Sequence, residues 1–318
     1  MFFRRSLVSS THFRHDDETV VQQSNVLDVS PLAEQMRAEV RNYTQKHKGV
    51  RLVGILASEG DFRQDAETYS RSIAETFFED GIDYELLRCP SGERSGVEQA
   101  IRAMNARTDV HGILVFYPIF TNSRASLPKT YLNKLNGTYY KTEDDYLRDI
   151  VLPSKDVEGL SHPYNARHLF RARAKSRPQN EMYIPCTALA VTKILQSFHK
   201  PSLRDNCDWT GLVFTVINRS EILGRPLAAM LALHGASVYS VDEDSILEFQ
   251  PQGRMRRCTG LDLETCLERS SVVVTGVPNP HFQLPARAIQ DNTTVVNVSA
   301  FSNVVETDFI DRPSVTLV

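Results

Sequence analysis

The sequence predicts an α/β fold in two domains. Three observations carry this. Strand-length apolar runs alternate with helical patterns, a polar, turn-rich stretch interrupts the first series, and a second series of strands begins just past residue 211. With 41% hydrophobic and 24% charged residues over 318 positions, the chain has an ordinary globular composition and can bury two cores.

The elements follow in order. Ser30 as N-cap and Pro31 at the first helical position open a helix whose Leu32, Met36, Val40 and Tyr43 fall near one face. GVRLVGILAS, apolar without a break from Leu52 to Leu56, predicts a buried parallel strand, and AETYSRSIAETFFEDGI a helix stopped at Gly81. DYELLRC is the next strand, Val97 to Asn105 the next helix and HGILVFYPIF another buried strand. The segment 121–145 is polar and tyrosine-bearing, which predicts a surface insertion before the chain returns at DYLRDIVLPSKDVEGL. PCTALAVTKILQSFHK, capped by Thr187 and with Val191, Ile194, Leu195 and Phe198 on one face, predicts a long helix acting as the hinge between domains. Beyond PSLRDNCDWTG come strand LVFTVIN, helix EILGRPLAAMLALHG and strands ASVYSVD, SVVVTGV and TTVVNVS, the order of a small Rossmann-like domain. The expected organisation is a flexible extension over 1–25, a first domain over 26–185 and a second over 186–318.

A formal net charge of −3 offers no basic field for nucleic acid. No apolar run approaches the roughly 18 residues of a membrane span. The cysteines Cys89, Cys186, Cys207, Cys258 and Cys266 form no CxxC pair and no zinc-type spacing with histidine, so a reduced, intracellular chain without a metal is expected. MFFRRSLVSSTHFRH has the arginine- and hydroxyl-rich composition of a mitochondrial leader, and equally that of a disordered tail. Its apolar residues make no helical stripe, so the tail and a cytoplasmic location are the expectation, with the mitochondrion as the alternative.

VFTVINRSEILGRP reads as strand, turn and helix start of a dinucleotide-binding unit without the usual glycine fingerprint. Asn218, Arg219 and Ser220 form the turn. Arg219 offers charge and Ser220 a hydroxyl to an anion at the helix start, and Gly224 permits close packing of helix on strand. An ordinary turn with a solvated arginine fits these residues equally well. Asp242, about 20 to 25 residues beyond the turn, stands where such folds place a carboxylate on the adenosine ribose hydroxyls. There it would repel a 2′-phosphate, which predicts NAD over NADP, with Glu243 beside it; the competing reading is a loop acid in the run DEDS. Thr275, Gly276, Val277 and Pro278 end a further strand and form a candidate turn on the nicotinamide side.

Three motifs together, KDVEGL (155–160), IPCT (184–187) and INRSEILGRPLA (217–228), resemble the tetrahydrofolate dehydrogenase/cyclohydrolase family, most closely its fungal monofunctional, NAD-dependent branch. The resemblance implies an N-terminal α/β folate (catalytic) domain, a C-terminal Rossmann-like NAD-binding domain and a cleft between them. It also implies a homodimer acting on 5,10-methylenetetrahydrofolate, with or without a polyglutamate tail, in one-carbon metabolism and purine biosynthesis. Tyr69 matches the tyrosine of the family's Tyr-x-x-x-Lys helix, where its ring would lie against the substrate, although Tyr69, Ile73 and Phe77 also make an ordinary apolar stripe. The family lysine is Ile73 here, and GILVFYPIF puts Phe116 where the family has the lysine's glutamine partner. Neither replacement has a proton to move, so no cyclohydrolase activity is expected. Glu158 matches the carboxylate that holds the pterin ring; without the motif it would be a loop acid beside Lys155 and Asp156. Cys186 sits before a helix start, where a lowered thiol pKa is expected, and joins Tyr69 and Glu158 as a candidate for the catalytic set, though a buried structural cysteine fits too. Family members continue into a final helix, whereas this chain ends at DFIDRPSVTLV, so that helix is expected to be missing and activity to suffer. A shikimate-type dehydrogenase would lack KDVEGL followed by IPCT, and a catalytically impaired regulator or interaction protein is the alternative.

Overall fold

The computed structural model describes residues 25–57, 61–90, 93–120, 140, 142–161, 184–198, 208–251, 254–299 and 301–318. The expected N-terminal extension up to residue 24, residues 121–139 and 141 of the insertion after Phe120, and Cys207 lie outside the described residues. Contacts divide the chain into two units, 30–194 and 195–318, the latter joined by the segment ahead of residue 30.

The first unit runs α1 (Ser30–Lys46), β1 (Arg51–Leu56), α2 (Asp61–Glu79), β2 (Asp83–Arg88), α3 (Arg94–Ala106), β3 (Gly112–Val115), α4 (Glu143–Ile150), a 3-10 turn at Pro153–Lys155 and the start of α5 (Cys186–Phe198). The three strands form a parallel sheet in the order β2-β1-β3. Alternate residues serve two cores. Val53, Ile55, Ile113 and Val115 pack with Val97, Ile101 and Leu147, while Leu56 and Leu114 pack with Ile73 and Phe116. That is why these strands read as unbroken apolar runs. Gly81 ends α2 as expected, taking φ +76° so that the Ile82 amide can donate back to the Phe77 carbonyl at 2.8 Å.

Two features differ from the sequence expectation. In α1, Met36, Val40 and Tyr43 are exposed, and the helix is held instead by Arg37 and Arg41 on the buried Asp80 and by the Thr44 hydroxyl on the Asp80 carbonyl. The acidic end of the supposed surface insertion is helical: Thr142 caps α4 by accepting from the Asp145 amide, and Glu143, Asp144 and Asp145 occupy the positive first turn.

The second unit contains β4 (Val213–Ile217), α6 (Gly224–Leu233), β5 (Ser237–Val241), β6 (Ile246–Gln250), β7 (Arg254–Cys258), α7 (Leu263–Glu268), β8 (Val272–Thr275), β9 (Thr294–Asn297) and β10 (Thr316–Leu317). They form one sheet in the order β10-β9-β8-β4-β5-β6-β7, parallel except for the antiparallel β5-β6-β7 edge. That edge is absent from the sequence reading because the RMRRC strand is exposed and carries no apolar alternation. Residues 25–27 pair with Leu317, so the chain just ahead of α1 belongs to this second unit, not to the first domain expected from residue 26. The division expected at 185/186 falls between Ile194 and Leu195, inside α5.

β4 has β8 on one side and β5 on the other, so the chain order reverses there. The turns after β4, β5 and β8 therefore gather at the carboxyl ends of adjacent strands, the usual binding edge of an open α/β sheet.

Candidate functional site

In the first unit the KDVEGL loop is built by its own charged residues. Lys155 caps the end of α3, its Nζ donating to the carbonyls of Met104, Asn105 and Arg107 at 2.9, 2.9 and 2.5 Å. Asp156 is buried and accepts from the Leu160 and Ser161 amides at 3.3 and 2.9 Å, and Gly159 takes φ +64° within that closed turn. Glu158, the other carboxylate of the motif, takes one backbone bond from Val115 and keeps acceptor capacity for a ligand.

Its surroundings favour the neutral acid. Glu158 is only partly covered, yet lost solvation and then the Asp156 charge push its carboxyl up to about 8, against the pull of Arg148 and a backbone bond from Val115. Glu158 lines a small, half-open space of about 10 Å³ together with Tyr117, Arg148 and Asp156, with the Arg148 guanidinium 4.7 Å from the centre of the Tyr117 ring. A larger cavity of about 530 Å³, bordered by Phe78, Asp83 and Tyr84, includes none of the candidate residues.

Tyr69 and Ile73 sit one turn apart on α2, and Phe116 directly follows β3. The Tyr69 ring meets Phe116 edge-on at 5.9 Å. Burial first, and then the nearby Cys186 and Glu158 charges, raise the Tyr69 hydroxyl well beyond its ordinary range, so it stays protonated. Tyr69, Glu158 and Cys186 are thus electrostatic neighbours, while Ile73 and Phe116 share one apolar cluster. Cys186 departs from an expectation: although the residue is exposed, lost solvation around its thiol and then the Glu158 charge push it up, not down, at the start of α5.

In the second unit the turn after β4 is held by side chains in place of glycines. Asn218 takes φ +79° and donates through Nδ2 to the Gly276 carbonyl at 2.6 Å, joining the β4 and β8 turns. The Ser220 hydroxyl accepts from the Leu223 and Gly224 amides at 3.2 and 3.3 Å, tying the turn to the start of α6. Asp242 follows β5, where the Asn218 amide donates to the Val241 carbonyl at 3.0 Å, so acid and turn are adjacent. Glu243 is exposed beside it. Arg219 departs from the expected anion ligand. Its side chain is 7% exposed and turned into the β5–β6 turn, 3.8 Å from Asp242.

The β8 turn is organised by Asn303, which the sequence reading missed because it lies far along the chain in an irregular segment. Its Oδ1 accepts from the Thr275 hydroxyl at 3.0 Å and the Val277 amide at 2.9 Å, and its Nδ2 donates to the Val277 carbonyl. Thr275 is therefore engaged internally, Gly276 packs against Leu223 and Val298, and Pro278 is exposed. Among the described residues no cluster of His, Cys, Asp and Glu could hold a metal ion, and no helix is long and apolar enough to cross a membrane.

Residues 27–131 match the model of the tetrahydrofolate dehydrogenase/cyclohydrolase catalytic domain. The chain is 35% identical over 298 residues to the methylenetetrahydrofolate dehydrogenase (NAD+) of Dictyostelium discoideum, covering 91% of this chain and 87% of that protein. It belongs to the tetrahydrofolate dehydrogenase/cyclohydrolase family. Within the family, the Saccharomyces cerevisiae methylenetetrahydrofolate dehydrogenase (NAD+) is 31% identical over 295 residues, 86% of this chain and 84% of that one. The solved structure of the NAD-dependent 5,10-methylenetetrahydrofolate dehydrogenase from Saccharomyces cerevisiae superposes with a TM-score of 0.72 at 28% identity, covering 92% of this chain and 90% of that chain.

Proposed function

We propose that this family member oxidises 5,10-methylenetetrahydrofolate to 5,10-methenyltetrahydrofolate with NAD+ and does not hydrolyse the product. NAD+ would accept the hydride. Asp242 would accept from the ribose hydroxyls, and the turn 218–220 with the start of α6 would face the pyrophosphate. Glu158 would hold the pterin by charge-assisted or neutral hydrogen bonds, and the Tyr69 ring would border it. The turn fits such a group because Gly224 brings α6 against the Asn218 backbone and Asp242 stands on the adjoining strand end. No residue need act as a strong base, since the departing hydride leaves a positive charge shared by two substrate nitrogens; alignment carries most of the rate.

The observation that carries this reading is the position of Asp242 beside the β4 turn, joined to it through the Asn218–Val241 hydrogen bond. Comparing rates of reduced coenzyme formation with NAD+ and NADP+ tests it. Asp242→Ser is expected to lower the NAD/NADP ratio of kcat/KM at least about tenfold, the equivalent of about 1.4 kcal/mol. An unchanged ratio would exclude Asp242 from coenzyme selection.

The expected lack of a hydrolase step rests on Ile73 and Phe116. Both are buried in an apolar cluster with Leu56 and Leu114, and neither side chain can move a proton to or from water. Purified protein is expected to leave the decay of methenyltetrahydrofolate at its uncatalysed rate, followed by absorbance; acceleration proportional to enzyme would contradict the assignment.

A further inference from the structure

Arg219 carries five N–H donors in a rigid planar fork, the geometry best suited to a phosphate. In a dinucleotide fold an arginine near this turn is a ready partner for a 2′-phosphate. Here the fork is already occupied. Nε donates to Ser240 Oγ at 3.1 Å, Nη1 to Ser245 Oγ at 3.1 Å, and Nη2 to the carbonyls of Ser240 and Ser245 at 2.6 and 2.8 Å. The remaining side of Nη1 faces Asp242 at 3.8 Å.

The two serines are placed for this. Ser240 is fully buried on β5, and Ser245 directly precedes β6. The Asp242 amide donates to the Ser245 carbonyl at 3.0 Å, so the residue that closes the turn also receives the arginine. Ser245 Oγ donates to Asp244 Oδ1 at 2.9 Å, which directs an oxygen lone pair to Nη1.

We propose that Ser240 and Ser245 are specificity-determining positioning residues: they clasp Arg219 beneath the β5–β6 turn, so that its charge steadies Asp242 and is withheld from a coenzyme phosphate. This rests on the assignment of Asp242 to the ribose hydroxyls. With the clasp intact, a 2′-phosphate meets a carboxylate and an Arg219 whose donors are already taken. With the serine hydroxyls removed, Nε and Nη1 lose their acceptors while Nη2 keeps the two carbonyls, and the freed edge of the guanidinium can pair with that phosphate.

The test is steady-state kinetics with NAD+ and NADP+ on the full chain carrying Ser240→Ala and Ser245→Ala together. The KM for NADP+ is expected to fall and that for NAD+ to rise, with kcat changing less, so that the NAD/NADP ratio of kcat/KM drops about tenfold or more, the worth of one charge-assisted hydrogen bond. Ser245→Ala alone, in a partly exposed turn, is expected to move the ratio in the same direction by about threefold, and Ser245→Thr, which keeps the acceptor, to retain the wild-type value. Adding Arg219→Met to the double variant should abolish the gain with NADP+. A ratio unchanged in the folded double variant, or in Ser245→Ala if the double variant fails to fold, overturns the clasp, as does a gain that survives Arg219→Met. If Asp242→Ser shifts the ratio and the serine variants do not, the clasp alone fails; if Asp242→Ser does not shift it, the underlying assignment fails.

Discussion

Replacing Glu158 by alanine is expected to raise the KM for methylenetetrahydrofolate by about 10- to 150-fold, the loss of a hydrogen bond to an ionisable group worth about 1.5–3 kcal/mol, while NAD+ affinity measured by titration calorimetry stays within about twofold. The localisation of the effect follows from the loop. Lys155 and Asp156 hold the backbone, so truncating Glu158 leaves the turn standing and removes the carboxylate together with its one bond from the Val115 amide. An equal loss of NAD+ and folate affinity would point to general damage instead. The pH dependence has a definite sign. The carboxyl is pushed from an ordinary 4.5 up to about 8, so between those values the folded chain binds more protons than the unfolded one. Its contribution to stability is complete below about 4.5, declines as pH rises and levels off above about 8. Glu158→Gln cannot ionise. Its Tm relative to wild type should therefore climb steadily between about pH 5 and about pH 8, and a flat or opposite trend would show that Glu158 is not desolvated as described.

Much of the architecture was legible because burial on both faces writes itself into consecutive residues. Leu52 to Leu56 and Gly112 to Val115 could be read as parallel strands, and Gly81 as a helix stop, from local chemistry alone. The helix α4 was also written locally, in Thr142 followed by three acids, but the polar composition around it favoured an irregular reading. The β7 strand was less readable, since an exposed edge rich in arginine has no apolar period. In α1 the apolar stripe was present and misleading: the buried contacts come from Thr44 and from the Asp80 pairs with Arg37 and Arg41. At the site, residue types were legible and directions were not. Arg219 finds acceptors 21 and 26 residues away, and the β8 turn is pinned by Asn303 from 26 and 28 residues on. The shift of Cys186 likewise depends on Glu158, which the fold brings near and the chain order does not.

The other large effect is expected from Gly224→Ala, although the substitution adds one methyl group to a residue inside a helix. A Cβ built at Gly224 would lie 2.0 Å from the Asn218 carbonyl oxygen, 2.9 Å from its carbon and 3.0 Å from the Arg219 Cα. All three are backbone atoms, so no side chain can rotate to make room, and either α6 or the β4 turn has to move. The turn is not free to move alone: Asn218 is tied to Gly276 and to the Val241 carbonyl, and Arg219 is held under the β5–β6 turn. Displacement therefore passes to the β8 turn and to Asp242 together, the parts that would contact the coenzyme. NAD+ binding by calorimetry is expected to weaken about 100-fold or more, with overpacking costing about 1–3 kcal/mol in stability and a matching drop in Tm. Gly276→Ala separates close backbone packing from mere loss of a glycine, because its added methyl would meet the Leu223 and Val298 side chains at 3.1 Å, and those can shift by a few tenths of an ångström. Its NAD+ affinity should fall far less. Wild-type affinity in Gly224→Ala, or equal damage in the two variants, would mean that the approach of α6 to the Asn218 backbone does not govern the coenzyme turn.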